Sequence, residues 1–144
     1  MSIMKSFRGK LADSEQQRIS LSTNNGLTGY TIKKFELMPI DADEDVESTV
    51  KVYSVEQSTV DADIDFNQNT LLAVGIIRAG TGVSQPLTVI TVFDNVKFNQ
   101  DIFISYRDNE TADKTINYYI ELEQIKLNLD EATVATLKDM RGRE

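Results

Sequence analysis

The stretch Thr115–Leu127, TINYYIELEQIKL, constrains the fold more than any other. Ile116, Tyr118, Ile120 and Leu122 fall at every second position, and Asn117, Tyr119, Glu121 and Glu123 fill the gaps. A strand turns successive side chains to opposite faces, so this run buries one face and wets the other. It is the longest clean alternation in the chain and predicts the central strand of an antiparallel sheet.

Similar but shorter patterns recur along the chain. Gln17–Thr23 sets Ile19 and Leu21 on one face, and Asn24-Asn25-Gly26 follows as a tight turn of hairpin type. In Tyr30–Ile40 the alternation slips at Lys33-Lys34, where one extra residue restores it, so a bulge is expected there. Pro39 cannot donate to a ladder and belongs at the strand end. Thr49–Gln57 is apolar on both faces, and Thr59–Phe66 alternates Val60, Ile64 and Phe66 with Asp61, Asp63 and Asp65. Leu71–Ile77 is almost wholly apolar, a buried strand at that length. Leu87–Phe93 and Val96–Arg107 lead into the opening run, so Leu87–Lys126 reads as a three-strand meander. Asp41–Glu47 carries five acids in seven residues and reads as an exposed loop. Ala79–Pro86 has the composition of a flexible one.

The two ends are less decided. Met1–Lys10 is basic and reads as an arm or an edge strand ahead of a single domain over 11–144. Near the C-terminus, Leu129 and Val134 stand at the staple positions around an Asp130 N-cap, and Val134 and Leu137 share a helix face. A strand over Val134–Met140 would put those two on opposite faces; the staple favours a short helix. Eight or nine short strands with turn signals every 8–12 residues predict an all-β antiparallel sandwich, jelly-roll-like, closed by that helix.

Composition narrows function by exclusion. The 144 residues contain no cysteine and no histidine. That removes thiolate sites, disulfides, the commonest general base and the commonest transition-metal ligand. No G-x-S-x-G elbow or P-loop lysine appears, and Glu121 and Glu123 sit side by side on a wet strand face rather than across a cleft. An enzyme is not expected, nor any cofactor. Net charge is −8, against a nucleic-acid partner. No apolar run is long enough for a membrane span, and MSIMKSFRGK lacks the apolar core of a signal peptide.

The charge is uneven. Lys5, Arg8, Lys10 and Arg18 lie near one end, Lys138, Arg141 and Arg143 at the other, with an acidic middle. Basic ends of this kind suit docking on an acidic partner surface. Candidate contact residues are therefore Lys5, Arg8, Lys10, Lys138 and Arg141, with Thr81 and Val83 in the flexible loop and Tyr119 on the polar face of its strand. The only candidate ion sites are the Asp41–Glu47 cluster and the series Asp61, Asp63 and Asp65, which has the spacing of a half EF-hand loop. Phe66 stands where that loop needs glycine and Leu72 where it needs glutamate, so the aspartates read as a solvated face with at most weak calcium binding.

Four stretches together, STNNGLTGYTIKKFELMP, FDNVKFNQDIFISYRD, INYYIELEQIKL and EATVATLKDMR, resemble small proteins encoded among the virion structural genes of marine tailed bacteriophages. The similarity runs from about Phe7 to Arg141. It implies a particle component assembled in the host cytoplasm, of decoration (cement) type, homo-oligomeric and bound to the major capsid protein or other virion proteins. It carries over no active-site residues. Two other readings stay open: a tail, neck or fibre-associated virion protein, and a carbohydrate-binding sandwich engaging host surface glycans.

Overall fold

The expected central strand is the middle of a three-stranded sheet. In the computed structural model, which describes residues 3–23, 25–40, 46–79, 88–108 and 114–142, β8 (Ile116–Lys126) lies between β1 (Ile3–Leu11) and β3 (Thr28–Pro39), antiparallel to both. A second sheet has the order β2-β7-β4-β5-β6, from β2 (Gln16–Ile19), β7 (Ile102–Asp108), β4 (Val46–Tyr53), β5 (Leu71–Ala79) and β6 (Thr88–Phe93). Helix α1 (Leu129–Gly142) closes the chain. The fold is an all-β sandwich of two antiparallel sheets with one C-terminal helix.

Strands pair in nested fashion, β1 with β8, β2 with β7 and β4 with β5, as in a long hairpin rolled on itself. The nesting breaks once. β6 approaches β3 but forms no ladder with it; it pairs with β5 as the edge of the larger sheet. On β3, Tyr30 instead makes a single antiparallel bridge to Phe98, with main-chain bonds of 2.8 and 3.0 Å and stacked rings.

Parity fills the core. Ile116, Tyr118, Ile120 and Leu122 point inward from β8 and meet Ile32, Phe35 and Leu37 of β3, Val50 and Val52 of β4, and Ile102, Ile104 and Tyr106 of β7. Each such side chain contributes roughly 1.5–3 kcal/mol of burial. The register shift between Ile32 and Lys34 keeps Tyr30 and Ile32 on the same face as Phe35 and Leu37, as the slipped alternation requires. Gly75 of β5 lets the sheets approach: a Cβ there would lie 2.6 Å from Leu37 Cδ1.

Several expectations fail on long-range pairing. Residues around Asn25-Gly26 turn the chain, with Gly26 at φ 67°, but make no hairpin, because β2 joins β7 and β3 joins β8. The meander is not formed: β6, β7 and β8 are nowhere neighbours, since β7 is held between β2 and β4 and β8 lies in the other sheet. Residues 54–70 form no strand; they fold as an irregular segment over the outer face of β4, where Lys51 Nζ donates to Asp61 Oδ1 and to the Asp63 carbonyl, both at 2.7 Å. Of the two readings of the N-terminal stretch the edge strand holds and the arm does not: Ile3–Leu11 runs in register with β8. The helix is capped by Asn128, not Asp130: Asn128 Oδ1 accepts from the Glu131 amide at 2.8 Å, and Glu131 Oε1 accepts from the Asn128 amide, a reciprocal capping box. Its buried face is Ala132 and Ala135, and Val134 and Leu137 stand exposed.

Candidate functional site

β1, β8 and β3 carry their polar faces outward together. Register aligns three rows across this face: Ser6–Glu121–Lys34, Arg8–Tyr119–Glu36 and Lys10–Asn117–Met38. A shallow groove of about 480 Å³ runs over the last two rows. Its walls are Arg8, Lys10, Glu36, Met38, Asn117 and Tyr119. The inward-facing row Gly9, Tyr118 and Leu37 gives the floor, through main chain.

Tyr119 is the centre of the arrangement. Its hydroxyl donates to Glu121 Oε2 at 3.0 Å, which fixes the ring along the strand. Lys34 Nζ lies 5.8 Å from the ring centroid and 3.6 Å from Glu36 Oε1. Met38, 65% exposed, adds an adaptable apolar contact beside it. The face is polarised. Its β1 border is basic with Arg8 and Lys10, and Glu121 and Glu123 make the middle strand acidic. An aromatic ring, a thioether, an amide and paired charges recognise a partner by area and hydrogen bonding.

Of the residues expected to make contacts, Arg8, Lys10 and Tyr119 come together here. Lys5 does not: it pairs with Leu122, has the inward parity and projects beyond the core from the other side of β1. Thr81 and Val83 lie outside the described residues. Lys138 and Arg141 fall within α1, and their side chains also lie outside them. Glu36, Met38 and Asn117 were not expected. The alternation of the opening run marked Asn117 as outward, but only the β3–β8 register brings Glu36 and Met38 beside it.

The calcium candidates Asp61, Asp63 and Asp65 do not converge, and residues 41–45 of the other acidic cluster lie outside the described residues. Asp61 is engaged by Lys51, which holds its carboxyl below the usual range by hydrogen bonding. Asp65 Oδ1 accepts from the Asn67 amide at 2.9 Å, closing a local turn. Among the described residues no group of three acidic side chains is arranged to hold a metal ion. Among them, too, no helix is long and apolar enough to cross a membrane.

The groove stands near one end of the sandwich. Leu11, Pro39, Val46, Ala79, Thr88, Asp108 and Ile116, which bound the connections at 12–15, 40–45, 80–87 and 109–115, are all at that end of their sheets. A buried polar cluster braces it. The Tyr106 hydroxyl donates to the Lys114 carbonyl at 2.7 Å and lies 3.0 Å from Ser48 Oγ. Asp108 Oδ2 accepts from the Lys114 amide at 2.7 Å, and the Asp108 amide donates to Asp13 Oδ1 at 2.8 Å. No protein-family model and no curated protein matches the chain.

Proposed function

We propose that this protein is a structural component of a tailed-phage particle, a decoration protein that docks on the major capsid protein shell. The observation that supports the reading is the groove: Arg8, Lys10, Met38 and Tyr119 gathered on one sheet face, a set suited to protein contact. The sequence resemblance to marine phage virion proteins supports the same class, and an antiparallel sandwich suits a peripheral shell component. The basic β1 border would meet acidic shell surface, and Tyr119 and Met38 would supply the buried centre of the contact. Binding only the assembled shell would stabilise it by mass action.

The test is quantitative mass spectrometry on purified particles of the source virus, followed by rebinding of the Tyr119→Ala and Arg8→Glu variants to particles stripped of the protein. On the order of hundreds of copies, with rebinding weakened at least about tenfold in both variants, is the expected result. A few copies per particle would move the protein to tail, neck or fibre. Absence from particles would overturn the reading. Glycan binding draws on the tyrosine, amide and carboxylate in one groove, but Lys34 lies against the Tyr119 ring where a stacked sugar would sit.

A further inference from the structure

Among the described residues the sandwich has four edge strands, and three of them are guarded against pairing with another chain. β1 carries Lys5, Arg8 and Lys10. β3 has the bulge, Lys33, Lys34 and the terminal Pro39, and its Tyr30 is bridged to Phe98. β2 is four residues long and includes Arg18. Charge, proline, irregularity and shortness are the usual means of blunting an edge. β6 has none of them. Its six residues, TVITVF, hold no charge, proline, glycine or bulge, and its ladder with β5 is unbroken. Val89, Ile90, Val92 and Phe93 are all exposed, Ile90 by 58%.

The direction of the free edge follows from one bond. The Asp94 amide donates to the Leu72 carbonyl at 3.1 Å, continuing the β5–β6 ladder. Hydrogen-bonded pairs alternate in an antiparallel ladder, so even-numbered residues of β6 bond β5. The main-chain groups of Val89, Thr91 and Phe93 therefore point outward from the sheet. Side chains sort by the same parity. Gly75 faces Leu37 inside the sandwich and pairs with Thr91, so Thr88, Ile90, Val92 and Asp94 belong to the outer face.

We infer that β6 is a self-association edge: two copies of this chain pair β6 to β6, antiparallel, about a two-fold axis through Thr91. This register sets Val89 against Phe93 of the second copy and Thr91 against itself, so all three outward-facing residues are paired, with about six new main-chain bonds. Ile90 meets Val92 of the other copy on the outer face, an aliphatic pair on each side of the axis. A neutral strand is the edge on which two chains of net charge −8 can meet without opposing like charges. At its ends the charges are complementary. Thr88 falls opposite Asp94 of the second copy, and Arg78 of β5 is the other neighbour of Thr88. Arg78 and that Asp94 thus flank one residue on the outer face, roughly 9–10 Å apart at Cα, twice the strand spacing. Both side chains are exposed and long enough together to close that gap, and symmetry makes the pair twice.

The test is sedimentation equilibrium of the full chain across concentration, with variants. The expected wild-type species has twice the 16.2 kDa chain mass. Thr91→Pro removes an amide that faces the free edge and none that bonds β5; Ile90→Lys sets a charge in the joint from an exposed position. Each is expected to weaken association at least about tenfold with unchanged circular dichroism. Should Thr91→Pro misfold, Ile90→Lys alone decides. Thr91→Cys tests the register, because hydrogen-bonded partners stand about 5.5 Å apart at Cα, within disulfide range, and the chain has no other cysteine. A monomeric wild type, an Ile90→Lys variant that associates as tightly as wild type, or a dimer of Thr91→Cys that does not cross-link on oxidation would overturn the proposal.

Discussion

Replacing Asp101 with asparagine should remove a measurable, pH-dependent part of the stability. Asp101 immediately precedes β7 and is 5% exposed. Its Oδ1 accepts from the amides of Leu21 and Ser22 at 2.7 and 2.8 Å, and its Oδ2 accepts from Arg18 Nε at 2.6 Å and forms an ion pair with the same guanidinium. Burial alone would raise this carboxyl. The two amides and Arg18 outweigh burial and hold it at about 2, against an ordinary 3.8. That difference, at about 1.36 kcal/mol per unit, corresponds to roughly 2–2.5 kcal/mol. Because the folded value is the lower one, the stabilisation is complete above the unfolded value and disappears as pH falls from about 5 towards 2. Asparagine keeps an oxygen for the two amides but turns an NH2 group towards Arg18. Urea unfolding followed by circular dichroism should place Asp101→Asn about 2 kcal/mol below wild type at pH 7, and within about 1 kcal/mol near pH 2. A gap of the same size at both pH values, or none at pH 7, would refute the argument.

Two further changes test the packing. Gly75→Val forces side-chain carbon to within 2.6 Å of Leu37 Cδ1 and 3.3 Å of Phe35 Cε2, and should lower stability by about 1–3 kcal/mol in the same assay; a gain would mean that the sheets separate freely at this point. Lys51→Met removes a buried ammonium while releasing a half-exposed Asp61 to water, so stability should change by less than about 1 kcal/mol. Amide exchange across residues 54–70 should nonetheless quicken, because the tether to Asp61 and Asp63 is gone; an unchanged exchange rate would show that this segment is held by other contacts.

The contact face was half legible in the sequence. Parity in β8 sends Tyr119 and Asn117 outward while Tyr118 goes to the core, and the basic residues of β1 were visible as a cluster. Grouping Lys5 with Arg8 and Lys10 ignored the same parity, since an odd residue of β1 belongs to the other face. Glu36 and Met38 could not be added from local pattern. Their place beside Tyr119 depends on the register of β3 on β8, which the bulge at Lys33 shifts by one residue.

The inward or outward sense of a strand's side chains is legible locally, because its period of two needs no distant partner: the core set of Ile116, Tyr118, Ile120 and Leu122, the bulge between Ile32 and Lys34, the terminal Pro39 and the buried β5 were all readable that way. Which strands are neighbours is a matter of long-range pairing. β1 pairs with β8 more than a hundred residues away, and β2 with β7 more than eighty away. Such pairings follow from the joint burial of two faces and not from any turn between them, so the hairpin and the meander that the turns implied gave way to nested sheets. The open edge of β6 exists for the same reason: its sequence is that of an interior strand, and the fold leaves it at a border.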